Sequence, residues 1–229
     1  MGLNKGRVRE IRLGASGLVE VSIACPAAAV PGAGQYLLAI EPDDEQALLA
    51  TPLFTIETVN HGFWAAPLHN VSWNPGTDLE LVGPLGHGFD LPSTVQRLGL
   101  VAMGETVSRL LPLVYKAGQI PAGITLFTGL RLPALPSAVE VHPLVSLKDT
   151  LDWPDYLALD VPLERLDELR QVLDIPDAAH LPCPAQVLVI SPMPCVGLAQ
   201  CGVCAVHGRR GWKLACEDGP VFDLRSLSW

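Results

Sequence analysis

Cysteine is the residue whose spacing says most about chemistry in this chain. Four of its six cysteines fall in the last thirty-five residues, at Cys195, Cys201, Cys204 and Cys216. Their spacing is C-x5-C-x2-C-x11-C, with Gly197, Gly202 and Gly208 among them. Thiolates are soft donors, and four of them on a tight loop and a returning hairpin can wrap one metal centre. A [2Fe–2S] cluster takes four thiolates, two per iron, and glycines let backbone N–H groups approach its sulfides. The x5 gap departs from the x4 gap of plant-type ferredoxins. Structural zinc usually takes two C-x2-C pairs, and only one is present. A redox-active C-x-x-C disulfide at Cys201 and Cys204 belongs at a helix start, whereas Cys204-Ala-Val-His-Gly reads as a strand entering a turn. Iron–sulfur ligation fits the spacing best, with zinc and a disulfide or inert set as alternatives.

The remaining candidate residues suit quieter roles. Cys25 follows the alternating run Val19-Glu-Val-Ser-Ile-Ala and is expected to be a small buried hydrophobe. Cys183, between Pro182 and Pro184, is expected to be a plain loop residue. His207, three residues after Cys204, is a Rieske-like alternative ligand, disfavoured because four cysteines already have suitable spacing. His87 in Gly86-His-Gly88 is expected on an exposed loop, and Glu217 and Asp218 are expected to cap the hairpin rather than do acid–base work. Trp64, Trp73, Trp153 and Trp212 read as core or interface aromatics, Trp212 beside the cluster as a shield from water. No Ser/His/Asp or Cys/His set stands out, so no catalytic residue is assigned.

Two kinds of element must position the cysteines. Residues 5–90 carry short alternating runs, Arg7–Leu13, Leu18–Ile23, Gln35–Ile40, Leu53–Val59 and Asp78–Val82, separated by turn clusters such as Pro31-Gly-Ala-Gly and Asn74-Pro-Gly. They predict a small antiparallel barrel or sandwich. From Arg97 onward, strand-like runs at 97–103, 123–129, 156–160 and 185–190 alternate with helical patterns at 105–116 and 162–173. In the first helix Pro112 sits awkwardly inside the pattern; in the second Pro162 suits the first turn and Leu163, Leu166, Leu169 and Leu173 share a face. That alternation predicts a small, shortened α/β sheet.

The chain has 229 residues, a formal net charge of −9 and 49% hydrophobic residues. Clustered acid at Glu41, Asp43, Asp44 and Glu45, and again from Asp149 to Asp177, argues against nucleic-acid binding. Arg209, Arg210 and Lys213 form the only local basic spot, read as a solvated turn or as a docking edge for an acidic redox partner. No apolar run reaches the ~18 residues of a membrane span, and the N-terminus lacks the apolar core of a signal peptide. A cytoplasmic location is expected, where thiols stay reduced and available to metals.

Barrel, α/β layer and cysteine tail together resemble the electron-transfer subunit of class 1B dihydroorotate dehydrogenase. Pro31-Gly-Ala-Gly-Gln-Tyr is similar to that family's P-G-Q-F strand start, and Gly83-Pro-Leu-Gly-His-Gly-Phe to its G-P-L-G-x-G-F segment closing the barrel. The stretches 193–206 and Leu214-Ala-Cys-Glu-Asp-Gly-Pro-Val-Phe are similar to its cluster loop and its C-x-D-G-P-V-F ending. The resemblance implies a ferredoxin-reductase-like Greek-key barrel over 1–95, a shortened Rossmann-like layer over 96–190 and a [2Fe–2S] tail over 191–229. It also implies a cluster that passes electrons between FAD on this subunit and the FMN of a catalytic flavoprotein in pyrimidine biosynthesis.

The flavin and nicotinamide stretches depart from the family. Its L-R-R-P-x-S-I reads Leu49-Ala-Thr-Pro-Leu-Phe-Thr-Ile here, so Thr51 replaces the arginine that pairs with the FAD diphosphate. A hydroxyl survives only if Thr55 takes the serine's role after a one-residue slip. Thr51, Pro52, Leu53, Thr55 and Gly104 are the candidate flavin contacts, and FAD binding is left open. The family's A-G-G-x-G-x-A-P turn becomes Ala102-Met-Gly-Glu-Thr-Val-Ser-Arg, where Met103 and Glu105 would obstruct and repel phosphates. NAD binding is expected to be lost. The leading expectation is an electron-transfer subunit for a dihydroorotate dehydrogenase-like flavoprotein, chemistry on the pyrimidine occurring in the partner. The contrasting one is a non-redox binding or assembly module whose tail is zinc-stabilised or metal-free.

Overall fold

The computed structural model describes residues 3–42, 49–118, 123–194 and 198–228. Cys195, Gly197 and the acidic positions Asp43, Asp44 and Glu45 lie outside them. Six antiparallel strands, β1 (Leu3–Leu13), β2 (Val19–Ala24), β3 (Tyr36–Ile40), β4 (Thr51–Val59), β5 (Gly62–Pro67) and β6 (Asp78–Leu85), close a barrel in the order β1-β2-β5-β4-β3-β6. β2 lies beside β5 rather than β3, the Greek-key connection. The barrel interior is filled by Val8, Val21, Ile23, Leu37, Leu53, Phe63, Leu79 and Leu81. β5, Gly-Phe-Trp-Ala-Ala-Pro in sequence, had no polar alternation to mark it because both of its faces carry buried residues.

The second sheet has the order β14-β11-β10-β7-β8-β9. β7 (Arg97–Ala102), β8 (Gly123–Thr128), β9 (Val139–His142), β10 (Tyr156–Pro162) and β11 (Ala185–Ile190) run parallel, and β14 (Val221–Asp223) joins antiparallel to β11. Its helices are short: α1 covers Leu111–Ala117 and α2 Leu166–Leu173. α1 therefore begins later than the pattern from Glu105 predicts. Val107 precedes a 3-10 turn at Ser108–Leu110, and Pro112 falls at the start of α1, where its missing N–H costs no helical bond. Leu166, Leu169 and Leu173 form the buried face of α2 as expected, with Leu163 in the 3-10 turn before it.

β3 and β4 explain how barrel and sheet pack. Strand alternation sends Leu37 and Leu53 into the barrel, and sends Tyr36, Leu38, Phe54 and Ile56 outward into one core with Leu110, Leu111 and Val114 of the α1 region. A buried polar latch reinforces the seam. Ser108 Oγ donates to Glu20 Oε1 at 2.8 Å, and Arg12 Nε donates to Glu20 Oε2 at 2.8 Å.

Candidate metal centre and nucleotide surfaces

The cysteine tail is built on a two-stranded ribbon, β12 (Ala205–Gly208) with β13 (Gly211–Leu214). Its register pairs Ala205 with Leu214, so Cys204 before one strand and the residues after the other arrive together. Ala215 N–H donates to the Cys204 carbonyl at 3.0 Å, and the buried Cys204 and Cys216 place their sulfurs 3.3 Å apart. A disulfide needs about 2.05 Å. Two thiolates on one tetrahedral metal at ~2.3 Å would stand about 3.8 Å apart. The separation is therefore too long for a covalent bond and close to that of two ligands on one ion. Cys201 is exposed beside Gly202, which turns the loop with φ +71°. Among the described residues, no three His, Cys, Asp or Glu side chains converge as a metal site. The structure thus brings two of the four predicted ligands together, keeps Cys201 on the same segment and does not describe Cys195. An all-thiolate donor set with this buried pair fits an iron–sulfur cluster.

The tail is anchored to both larger units. His87 N–H donates to the Gly219 carbonyl at 2.6 Å, His87 Nδ1 lies 3.1 Å from the Asp218 carbonyl oxygen, and Tyr36 Oη donates to the Cys216 carbonyl at 3.3 Å. Gly86 is required for this approach: with φ +73°, a Cβ there would meet Pro220 Cδ at 2.5 Å and the Gly219 oxygen at 2.6 Å. His87 is exposed as expected, but its loop has a function the sequence reading missed, which is to seat the cluster tail on the barrel. On the other side, β14 pairs with β11 and so draws the tail into the parallel sheet. Asp218 caps the hairpin by accepting from Leu214 N–H at 2.7 Å.

The other singled-out groups lie elsewhere. Cys25 is in the barrel core, where burial raises its thiol pKa. Cys183 is packed into the main core rather than on a plain loop, and burial pushes its thiol up to about 11. His207 alternates with the buried Val206 and stacks on Trp212 with ring centroids 5.0 Å apart, so it turns to the outer face. Trp212 is 73% exposed, its ring lying against His207 on the outer face of the ribbon. Trp73 is buried, and Trp64 lies under the Arg12 guanidinium at 4.0 Å.

The candidate flavin contacts are dispersed by strand geometry. Thr51 begins β4 half-buried; Pro52 is buried and its carbonyl accepts from Leu68 N–H at 2.9 Å. Leu53 points into the barrel. Thr55 pairs with Ala65, an interior residue, and its hydroxyl donates to the Pro31 carbonyl at 2.9 Å. A one-residue slip along a strand moves a side chain to the opposite face, so Thr55 is turned away from the seam on which Phe54 lies.

Gly104 belongs to a different construction. It follows β7, where Arg109 and Asp160 form a buried two-pronged ion pair with bonds of 2.8 and 3.1 Å. Burial pushes the Asp160 carboxyl up, and the charge and hydrogen bonds of Arg109 oppose it. A Cβ on Gly104 would stand 2.9 Å from Arg109 Nη2 and 3.1 Å from Asp160 Oδ1. Met103 N–H donates to the Asp160 carbonyl at 2.9 Å, Ser108 N–H to Thr106 Oγ1 at 3.0 Å, and Arg165 donates to the Met103 carbonyl. These three groups of the turn are engaged within the protein. A cavity of about 390 Å³ lies nearby, between the ends of β2, β5, β10 and β11. Its wall includes Glu105, Glu164 and Ser191, whose buried hydroxyl has no hydrogen-bond partner.

Comparison with known proteins agrees with this geometry. Residues 193–228 match the model of the iron–sulfur cluster binding domain of dihydroorotate dehydrogenase B. The electron transfer subunit of dihydroorotate dehydrogenase B (NAD(+)) from Desulforamulus reducens is 26% identical over 182 residues, 68% of this chain and 67% of that protein. Its counterpart from Clostridium perfringens is 23% identical over 164 residues, 65% of each. The match thus spans about two thirds of these relatives. Among solved structures, a chain of NADH-dependent reduced ferredoxin–NADP oxidoreductase superposes with a TM-score of 0.72 at 19% identity, covering 100% of this chain and 91% of that one. The ferredoxin reductase of carbazole 1,9a-dioxygenase gives a TM-score of 0.58 at 19% identity over 76% of this chain and 63% of that one. The fold is therefore ferredoxin-reductase-like, the C-terminal segment is similar to the iron–sulfur cluster binding domain of dihydroorotate dehydrogenase B, and about two thirds of the chain is similar to the electron transfer subunits of that enzyme.

Proposed function

We propose that this chain is an iron–sulfur electron-transfer subunit serving a dihydroorotate dehydrogenase-like flavoprotein. Cys195, Cys201, Cys204 and Cys216 hold a [2Fe–2S] cluster, which when bound supplies a one-electron carrier. The observation that carries this reading is the buried Cys204–Cys216 sulfur pair at 3.3 Å within the segment that matches the cluster-binding model. Cys204 and Cys216, whose sulfurs already lie together, would supply two of the four thiolates, and Cys195 and Cys201 would supply the other two. The remaining residues of the tail hold and orient that centre. Tyr36, His87 and Asp218 fix the loops at Cys216, while Val206 and Ala215 keep water from the inner side.

The outer side supports docking of the flavoprotein. Leu198, Val203 and Trp212 are 60%, 48% and 73% exposed on the cluster segment, an unusual concentration of apolar surface beside a ligand cysteine. Arg209, Arg210 and Lys213 add positive charge for an acidic partner. Chemistry on the pyrimidine belongs to the partner. A cytoplasmic location suits thiolate ligands, and no helix among the described residues is long and apolar enough to cross a membrane.

The test is spectroscopic. Anaerobically purified protein reduced with dithionite should give a rhombic EPR signal of one spin per chain, and Cys204→Ser or Cys216→Ser should abolish or markedly shift it. An EPR-silent, colourless protein that contains zinc would contradict the proposal.

A further inference from the structure

We infer that this chain carries no flavin, because the seam where its relatives' fold would seat FAD is filled by its own side chains. In the register set by Pro52, Phe54 stands where the resembled family has the flavin-contacting serine. Phe54 and Ile56 are each 1% exposed and pack with Tyr36, Leu110, Leu111 and Val114, the Tyr36 and Phe54 rings lying 5.9 Å apart. A strand face covered in this way leaves no slot for a planar three-ring system against Phe54 and Ile56. The Glu20–Ser108 bond closes the same seam with a buried polar contact.

The phosphate end is equally occupied. Thr51 offers no guanidinium, and the two arginines on the Glu20–Ser108 and Gly104 side of the seam are already committed, Arg12 to Glu20 and Trp64, and Arg109 to Asp160. The Met103 and Ser108 N–H groups are bonded within the chain, and α1, at seven residues, starts beyond the turn and presents no phosphate-binding N-terminus to it. The cavity of about 390 Å³ between barrel and sheet has Glu105 and Glu164 in its wall beside His69 and Arg109, and Arg109 is the one already paired with Asp160, which leaves little positive charge to meet a diphosphate.

A chain without flavin has a mechanistic consequence. The cluster accepts one electron and gives up one electron, and it cannot divide a hydride. Any two-electron donor or acceptor must therefore react at a flavin held by the partner, and electrons both enter and leave this chain at the cluster face.

The experiment uses the full chain, isolated anaerobically and reconstituted with iron and sulfide. FAD and FMN released on denaturation are quantified, and each is then titrated into fresh protein while flavin fluorescence and melting temperature are followed. The expected result is background flavin, no saturable quenching and no thermal shift with either compound. Flavin near one per chain, or saturable binding of either, would overturn the inference. Iron and sulfide are measured on the same sample, so the two assignments fail separately. Bound flavin with two irons sinks this inference alone, whereas absent flavin and absent iron sink the cluster reading and leave this one standing.

Discussion

The buried cysteine sulfurs among the described residues fall into two kinds of surroundings. Cys25 and Cys183 are enclosed by hydrocarbon and held as thiols, whereas Cys204 and Cys216 face each other at the end of a ribbon. Cys25→Ala and Cys183→Ala should keep full iron content and visible absorption, at a stability cost of about 1 kcal/mol read from thermal melts. Cys204→Ser should lose most of both. The raised thiol pKa of Cys183 carries a chemical consequence: its alkylation by iodoacetamide at pH 8 should lag far behind that of Cys201 in metal-free protein. Arg109 offers a test away from the cluster. Arg109→Met leaves Asp160 charged and buried, which should cost about 3–5 kcal/mol, and Arg109→Met with Asp160→Leu should recover most of that loss. The clustering of cysteines was legible because it depends on residue type and short spacing alone. The Arg109–Asp160 pair was not, since its partners are 51 positions apart and meet only through the β7–β10 register that sets Asp160 against Ala102.

At the scale of elements, sequence pattern revealed strands wherever one face differed from the other. β1, β2, β3, β4 and β6 were legible, as were the four central parallel strands. β9 escaped because it is a four-residue edge strand between Pro136 and Pro143 with mostly exposed side chains, and β14 because it is only three residues long. The role of Thr55 escaped for a related reason, since which face a strand residue takes depends on a register that a motif alone does not fix. The element that seats the tail is the loop after β6, through its contacts with Gly219 and Pro220. Gly86→Ala places a methyl group 2.5 Å from Pro220 on a left-handed backbone, so it should unseat the tail. The expected readout is cluster loss together with destabilisation of about 2 kcal/mol or more. By contrast, Ser108→Ala removes one arm of the Glu20 latch and should cost about 1 kcal/mol while leaving the cluster spectrum unchanged.

Across the whole molecule, the tail is not a detachable appendage, because β14 completes the parallel sheet and the Gly86 loop grips the residues after Cys216. Metal binding to such a segment is linked to the stability of the fold. Chelation of iron should therefore lower the melting temperature of the entire chain rather than melt the tail alone, a difference that circular dichroism of the barrel strands can read. The most direct measurement is the iron, acid-labile sulfide and zinc content of the anaerobically purified chain, taken with its visible spectrum. Two irons and two sulfides per chain in a red-brown protein are predicted; a colourless chain holding zinc, or no metal at all, would contradict the assignment of these cysteines to an electron-carrying cluster.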